Sequence, residues 1–272
     1  MDSHSNKNAG FYIYLVIIST LGISIGSFYL LNNDALAQQN VSTVSDDANN
    51  LKPNINAESI FNTKTMTLGN NVQTLVILIP NEGHHSEGED NEARFLAQHF
   101  VPENAVINPG TTVLWFNGDV GHVRIIDVKD AGGNTVFNTG EIIDSQASQP
   151  FTFSNTGVYN YEAEGDPGVT MTGSITVDNI QSTITSTSAN SSTSNIDTVG
   201  VLMVPTQNID EYISQITSAG ITVNSTYDFK DLRGGQEGTG DVQTLIVWTT
   251  GGKDLNETLS SLSELSADLP YS

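Results

Sequence analysis

Between residues 72 and 177 the apolar positions come in short runs, separated by Gly, Pro, Asn and Asp. The runs predict strands at 74–79, 105–107, 111–116, 122–128, 135–138, 149–153, 157–161 and 173–177. Val158 and Asn160 alternate with Tyr159 and Tyr161, and Ser174 and Thr176 with Ile175 and Val177, the period of a half-buried strand. Residues 162–173 must therefore close a tight connection between two strands. Turn residues stand at Asn108-Pro109-Gly110, Asn117-Gly118-Asp119, Ala131-Gly132-Gly133 and Asn155-Thr156-Gly157. Strands at this spacing predict an all-β sandwich, with Trp115, Phe137, Phe151 and Phe153 as core bulk.

The pattern changes after the sandwich. A Ser/Thr-rich, flexible linker fills 179–198. A strand at 199–204 follows, then a capping-box pair, Asn208 and Glu211, opening a helix with Ile209, Tyr212, Ile213 and Ile216 on one face. Further strands are predicted at 221–227 and 242–249. Asp254 and Glu257 cap a last helix striped by Leu255, Leu259, Leu262 and Leu265. This βαββα order predicts a small α+β domain, similar to a truncated ferredoxin-like unit, over 199–272. Arg233 to Gly238 is Gly-rich but lacks the Lys-Ser/Thr of a phosphate loop, so the domain is expected to serve a protein partner.

At the N-terminus, residues 11–31 are uncharged and apolar. They are long enough for a membrane anchor, while Ala35-Leu36-Ala37 offers a signal-peptide cleavage site. Both alternatives export the chain, to be secreted or held at the cell surface, with the membrane as a partner if the segment stays on. Residues 1–37 are thus a signal or anchor, 38–65 an unstructured tether and 66–178 the sandwich. Asn40, Asn190, Asn224 and Asn256 open glycosylation acceptor patterns, which suit an exported glycoprotein.

A formal net charge of -22 with only 9 basic residues argues against nucleic-acid binding, which depends on clustered Lys and Arg. There is no cysteine, so no disulfide stabilises the exported chain.

From Phe100 to Val177 the landmarks Phe100, Pro102, Val113 to Asn117, Asp119, His122, Gly140, Phe151 to Phe153, Gly157, Tyr159, Tyr161, Pro167, Met171 and Gly173 form a string. It resembles the cupredoxins, the blue-copper family that includes plastocyanin and azurin. The resemblance implies a Greek-key β-sandwich, copper, and a role in electron transfer or metal handling. His122 and Met171 stand where two copper ligands belong. Ala163 occupies the place of the Cys ligand, and Asp166 that of the second His. A blue site needs the thiolate, so a type 1 centre is excluded and the copper site is degenerate.

Copper of another type remains open. If the acidic 81–91 loop folds over the same end, His122, Asp166 and one or two of His84, His85 and His99 would make a nitrogen/oxygen set for Cu(II) or Zn(II). Adjacent histidines on an extended strand point apart, so both His84 and His85 contribute only if the loop bends. The plainer alternatives are a solvated acidic loop, Asp166 as a turn former, and Met171 as core filler. The expectation is a non-blue metal-binding module; an enzyme using a mononuclear copper would need three or more nitrogen/oxygen ligands to converge and is less favoured. The alternatives are a metal-free domain kept for its surface and electron transfer as in the family.

Overall fold

A computed structural model describes residues 55–86, 94–180, 197–233, 241–250 and 252–267. The expected anchor at 1–37, most of the tether and linker, and the 234–240 loop lie outside the described residues. Among the described residues, no helix is long and apolar enough to cross a membrane.

The described residues begin with helix α1 (Ala57–Thr63) and strands β1 (Thr65–Thr67), β2 (Val72–Ile79), β3 (Asn104–Ile107) and β4 (Thr111–Asn117). Strands β5 (Asp127–Lys129), β6 (Thr135–Asn138), β7 (Phe151–Phe153), β8 (Gly157–Glu164) and β9 (Thr170–Val177) complete the region of the predicted sandwich. Then come β10 (Asp197–Pro205), α2 (Ile209–Ser218), β11 (Thr222–Lys230), β12 (Val242–Thr249) and α3 (Leu255–Ala267). One sheet has the order β1-β3-β9-β8-β5-β6, the other β11-β12-β10-β2-β4-β7.

The two sheets share one apolar core. Trp115 on β4 meets Tyr161 on β8 edge to face at 5.4 Å, and Phe153 on β7 meets Tyr159 on β8 at 5.0 Å. Each large side chain buried here contributes about 1.5–3 kcal/mol from apolar transfer. Tyr161 is fully buried, and its hydroxyl donates to the carbonyl of Glu103 at 3.0 Å. Its ring passes so close over Gly173 that a Cβ there would overlap it, which explains the glycine in the sequence string.

The run Leu75–Ile79 is buried throughout because β2 is an inner strand, parallel to β4 on one side and to β10 on the other. Such strands read as continuous apolar runs rather than as alternation. The β10–β2 pairing departs from the expected organisation. The last three strands do not form a sheet apart from the sandwich; they continue its second sheet, in the order β11-β12-β10-β2.

The expected tether is also structured toward its end. In α1, Ile60 is buried and Phe61 packs on Tyr227 and Phe229 of β11 at 5.1 and 4.8 Å. The Ala57 amide donates to Ser225 Oγ at 3.0 Å. Asp254 caps α3 as expected, accepting from the Glu257 amide at 3.2 Å. The Asn208–Glu211 box does not form: a 3₁₀ turn over Thr206–Asn208 runs directly into α2, and the Asn208 side chain makes no cap bond.

Gly200 on β10 pairs with Trp248 on β12, and the indole lies where a Cβ at position 200 would sit. Gly200→Ala is expected to destabilise the protein by about 1–3 kcal/mol through overpacking. Because β10 is hydrogen-bonded to both β2 and β12, circular dichroism and tryptophan fluorescence in urea should report one shifted transition. Two transitions, only one of them moved, would mean that the last strands fold apart from the sandwich.

Candidate metal centre

Strands β2 and β4 are parallel, with Ile79 opposite Asn117, so the loops that follow them leave the same end of the sandwich. Pro80 stops β2. The Gly83 amide then donates to the Pro80 carbonyl at 3.0 Å and the His85 amide to the Glu82 carbonyl at 3.2 Å, two overlapping turns with Glu82 left-handed at φ 58. These turns bend the loop, and both adjacent histidines come to one side, their ring centroids 4.0 Å apart.

After β4, the buried Asn117 side chain donates to the carbonyls of His122 and Ile142 at 2.8 and 2.9 Å and accepts from the Asp119 amide at 3.0 Å. His122 was expected on a strand. It lies instead in the loop that Asn117 closes, after Gly121 at φ 77, and β5 starts only at Asp127. Its ring centroid is 4.2 Å from that of His84.

The third loop lies between β8 and β9. The Asp166 amide donates to the His84 carbonyl at 3.0 Å, and a Cβ on Gly165 would fall 2.5 Å from that same oxygen. Glycine is therefore required for this loop to dock. Asp166 Oδ2 lies 2.5 Å from His85 Nδ1, and Glu82 Oε2 lies 2.7 Å from His85 Nε2.

Asp119 sits beneath the cluster, fully buried. It accepts from His84 Nδ1 at 2.9 Å, from Arg124 Nε at 2.8 Å and from the Glu82 amide at 3.2 Å. Arg124 also donates to the Glu164 carbonyl at 3.0 Å. His122 Nδ1 is 3.6 Å from Asp119 and 3.0 Å from the Val120 carbonyl. Two overlapping triplets result, Glu82/His84/His85 and His84/Asp119/His122, each able to offer ligand atoms within 4.8 Å of one another.

Of the six residues singled out from the sequence, His84, His85 and His122 share this cluster and Asp166 binds its edge through His85. His99 does not join either triplet. Its Nδ1 donates to the Gly83 carbonyl at 2.8 Å, which leaves Nε2 to accept from Arg94 at 2.6 Å. Met171 is fully buried on β9 opposite Ala163, which is itself buried. Sequence reasoning did not single out Glu82, Asp119 or Arg124 as site residues. The signal was the short spacing Asn117, Asp119, His122, Arg124, which puts one carboxylate between an imidazole and a guanidinium.

Burial opposes a charge on His85, but the hydrogen bond to Asp166 and the charges of Asp166 and Glu82 outweigh it and raise its pKa above the ordinary 6.5. The same hydrogen bond, aided by the charges of His85, His84 and Arg124, lowers Asp166 below 3.8. A raised imidazole stabilises the fold below its unfolded pKa and stops doing so as pH rises through the folded one. A lowered carboxylate stabilises it above its unfolded pKa and stops as pH falls through the folded one. The pair is therefore fully effective between 3.8 and 6.5. In metal-free protein, the melting-temperature gap between the wild type and His85→Asn should be widest near about pH 5 and close on either side. A gap that does not change with pH would refute the ion pair.

No protein-family profile and no curated protein matches the chain. Among solved structures it is similar to a purple cupredoxin from Nitrosopumilus maritimus, at 26% identity over 38% of this chain and 99% of that one, with a TM-score of 0.30. It is also similar to a copper-containing nitrite reductase from Thermus scotoductus, at 18% identity over 44% of this chain and 29% of that one, TM-score 0.33. Reduced rusticyanin matches at 17% identity over 45% of this chain and 94% of that one, TM-score 0.30. The solved structures that resemble this chain are cupredoxins.

Proposed function

We propose that this protein is a non-blue metal-binding module, exported and held at the cell surface, that takes Cu(II) or Zn(II) on His84 and His122 with His85 or a carboxylate completing the set. The observation that carries this reading is the packing of three imidazoles at centroid distances of 4.0 and 4.2 Å on one end of the sandwich. A thiolate site does not fit, because the chain has no cysteine and Ala163 is buried in the core. Imidazole and carboxylate donors fit a borderline divalent ion, and in such a set Cu(II) binds more tightly than Zn(II).

The hydrogen bonds support particular roles. His84 donates Nδ1–H to Asp119, which leaves Nε2 for the metal and makes Asp119 the carboxylate that orients the ring. His122, donating Nδ1–H to the Val120 carbonyl, likewise keeps Nε2 free. Both nitrogens of His85 face carboxylates, so it must give up one of them to become a ligand. Without the thiolate, binding or handling of the ion is favoured over electron transfer.

Double occupation of His85 by Glu82 and Asp166 also favours a second reading, in which protons and ion pairs fill the cluster and the sandwich binds no metal. Elemental analysis and Cu(II) titration of the purified protein decide between them. Stoichiometric metal is expected, without the intense colour of a copper thiolate. His84→Ala and His122→Ala should each weaken binding by at least about tenfold, and Asp119→Asn by about 10–100-fold. His99→Ala should leave it unchanged. No stoichiometric metal, or binding indifferent to His84 and His122, would leave the metal-free reading.

A further inference from the structure

A second feature lies where the added strands meet the sandwich loops: a cavity of about 540 Å³. Glu82 and Phe95 come from the sandwich side, Met203 from β10, Gln243 from β12 and Arg233 from the end of the β11 segment. The seam is closed by the Leu232 amide, which donates to the Phe95 carbonyl at 3.1 Å. The volume suits a small organic molecule.

The chemistry of the lining restricts which one. Gln243 is only 6% exposed, yet among the described residues its side-chain amide makes no hydrogen bond; it lines the cavity instead. A carboxamide open to the cavity presents a donor and an acceptor side by side, which a molecule with a matching acceptor and donor would pair. Asn81 and Gln207 add two more carboxamides to the same wall. Phe95 supplies an aromatic face on which the Arg233 guanidinium lies, 4.0 Å from the ring centroid. This guanidinium is already committed to the fully buried Asp231, through Nε at 3.2 Å and Nη2 at 3.0 Å. Its charge is thus met within the protein, while Glu82 and Asp241 line the cavity with negative charge and disfavour an anion. Stacked on one another, the guanidinium and the ring make a single flat element in the lining, which suits a flat ligand.

We propose that this cavity binds a small, uncharged, planar nitrogen heterocycle whose edge carries an adjacent donor and acceptor, paired with the Gln243 carboxamide. The assignment does not depend on metal binding, and the test is run with chelator present so that the two stand or fall separately. Adenine, uracil and nicotinamide are titrated into the full chain by ligand-observed NMR, with benzoate as the planar anion. At least one of the three should saturate, with benzoate at least about tenfold weaker. Gln243→Leu should weaken that ligand by about tenfold, the loss of one buried hydrogen-bonded edge. Met203→Trp, which fills the cavity from β10, should abolish binding and covers the case in which Gln243→Leu does not fold. The proposal is overturned if none of the three saturates, if benzoate binds as well, or if the variants that fold bind as the wild type does.

Discussion

A buried carboxylate is costly unless opposite charge and hydrogen bonds surround it, and the end of this sandwich is built around one. Asp119 has no exposed surface, and its oxygens are shared by His84, Arg124 and the Glu82 amide. The partners come from two different stretches of chain. His84 and Glu82 belong to the loop after β2, while Arg124 reaches across to the Glu164 carbonyl beside the β8–β9 loop. Satisfying one charge therefore fixes three loops. The positions of the imidazoles follow from that requirement as much as from any ligand they bind.

That arrangement depends in turn on strand direction. Parallel β2 and β4, in register from Thr74 to Ile79, send the histidine loop and the Asp119 loop out of the same end. An antiparallel pair would have put them at opposite ends. The Gly118 amide, bonded to the Ile79 carbonyl at 2.9 Å, continues the ladder one step beyond the strand into the site. Rigidity at the cluster is thus inherited from two deeply buried strands.

The sandwich was legible because its information is local. Alternation in β8 and β9, turn residues between strands and the single bulky Trp115 sit within short windows of sequence. Its candidate metal ligands were legible in part. His84, His85 and His122 are the right chemistry, but whether both adjacent histidines could serve depended on Glu82 adopting a left-handed backbone, and no propensity announces that for a glutamate. His99 reads the same as its neighbours in sequence; only the Arg94 guanidinium and the Gly83 carbonyl remove it from the set. The continuation of the sandwich sheet by β10 was not legible at all. Linker composition suggested separation, whereas the pairing of Val199 with Leu75 is a contact between distant segments that neither strand's pattern reveals.

Glu82 connects the two ends of the argument. Its carboxylate holds His85 Nε2 at 2.7 Å, and the same residue lines the cavity at the seam. A cation taken up by His85 must displace or recruit that carboxylate, and a molecule filling the cavity must desolvate it. Were the proposed ion and the proposed ligand both to bind, each would change the free energy of the other through that one residue, and linkage would make the two changes equal in size.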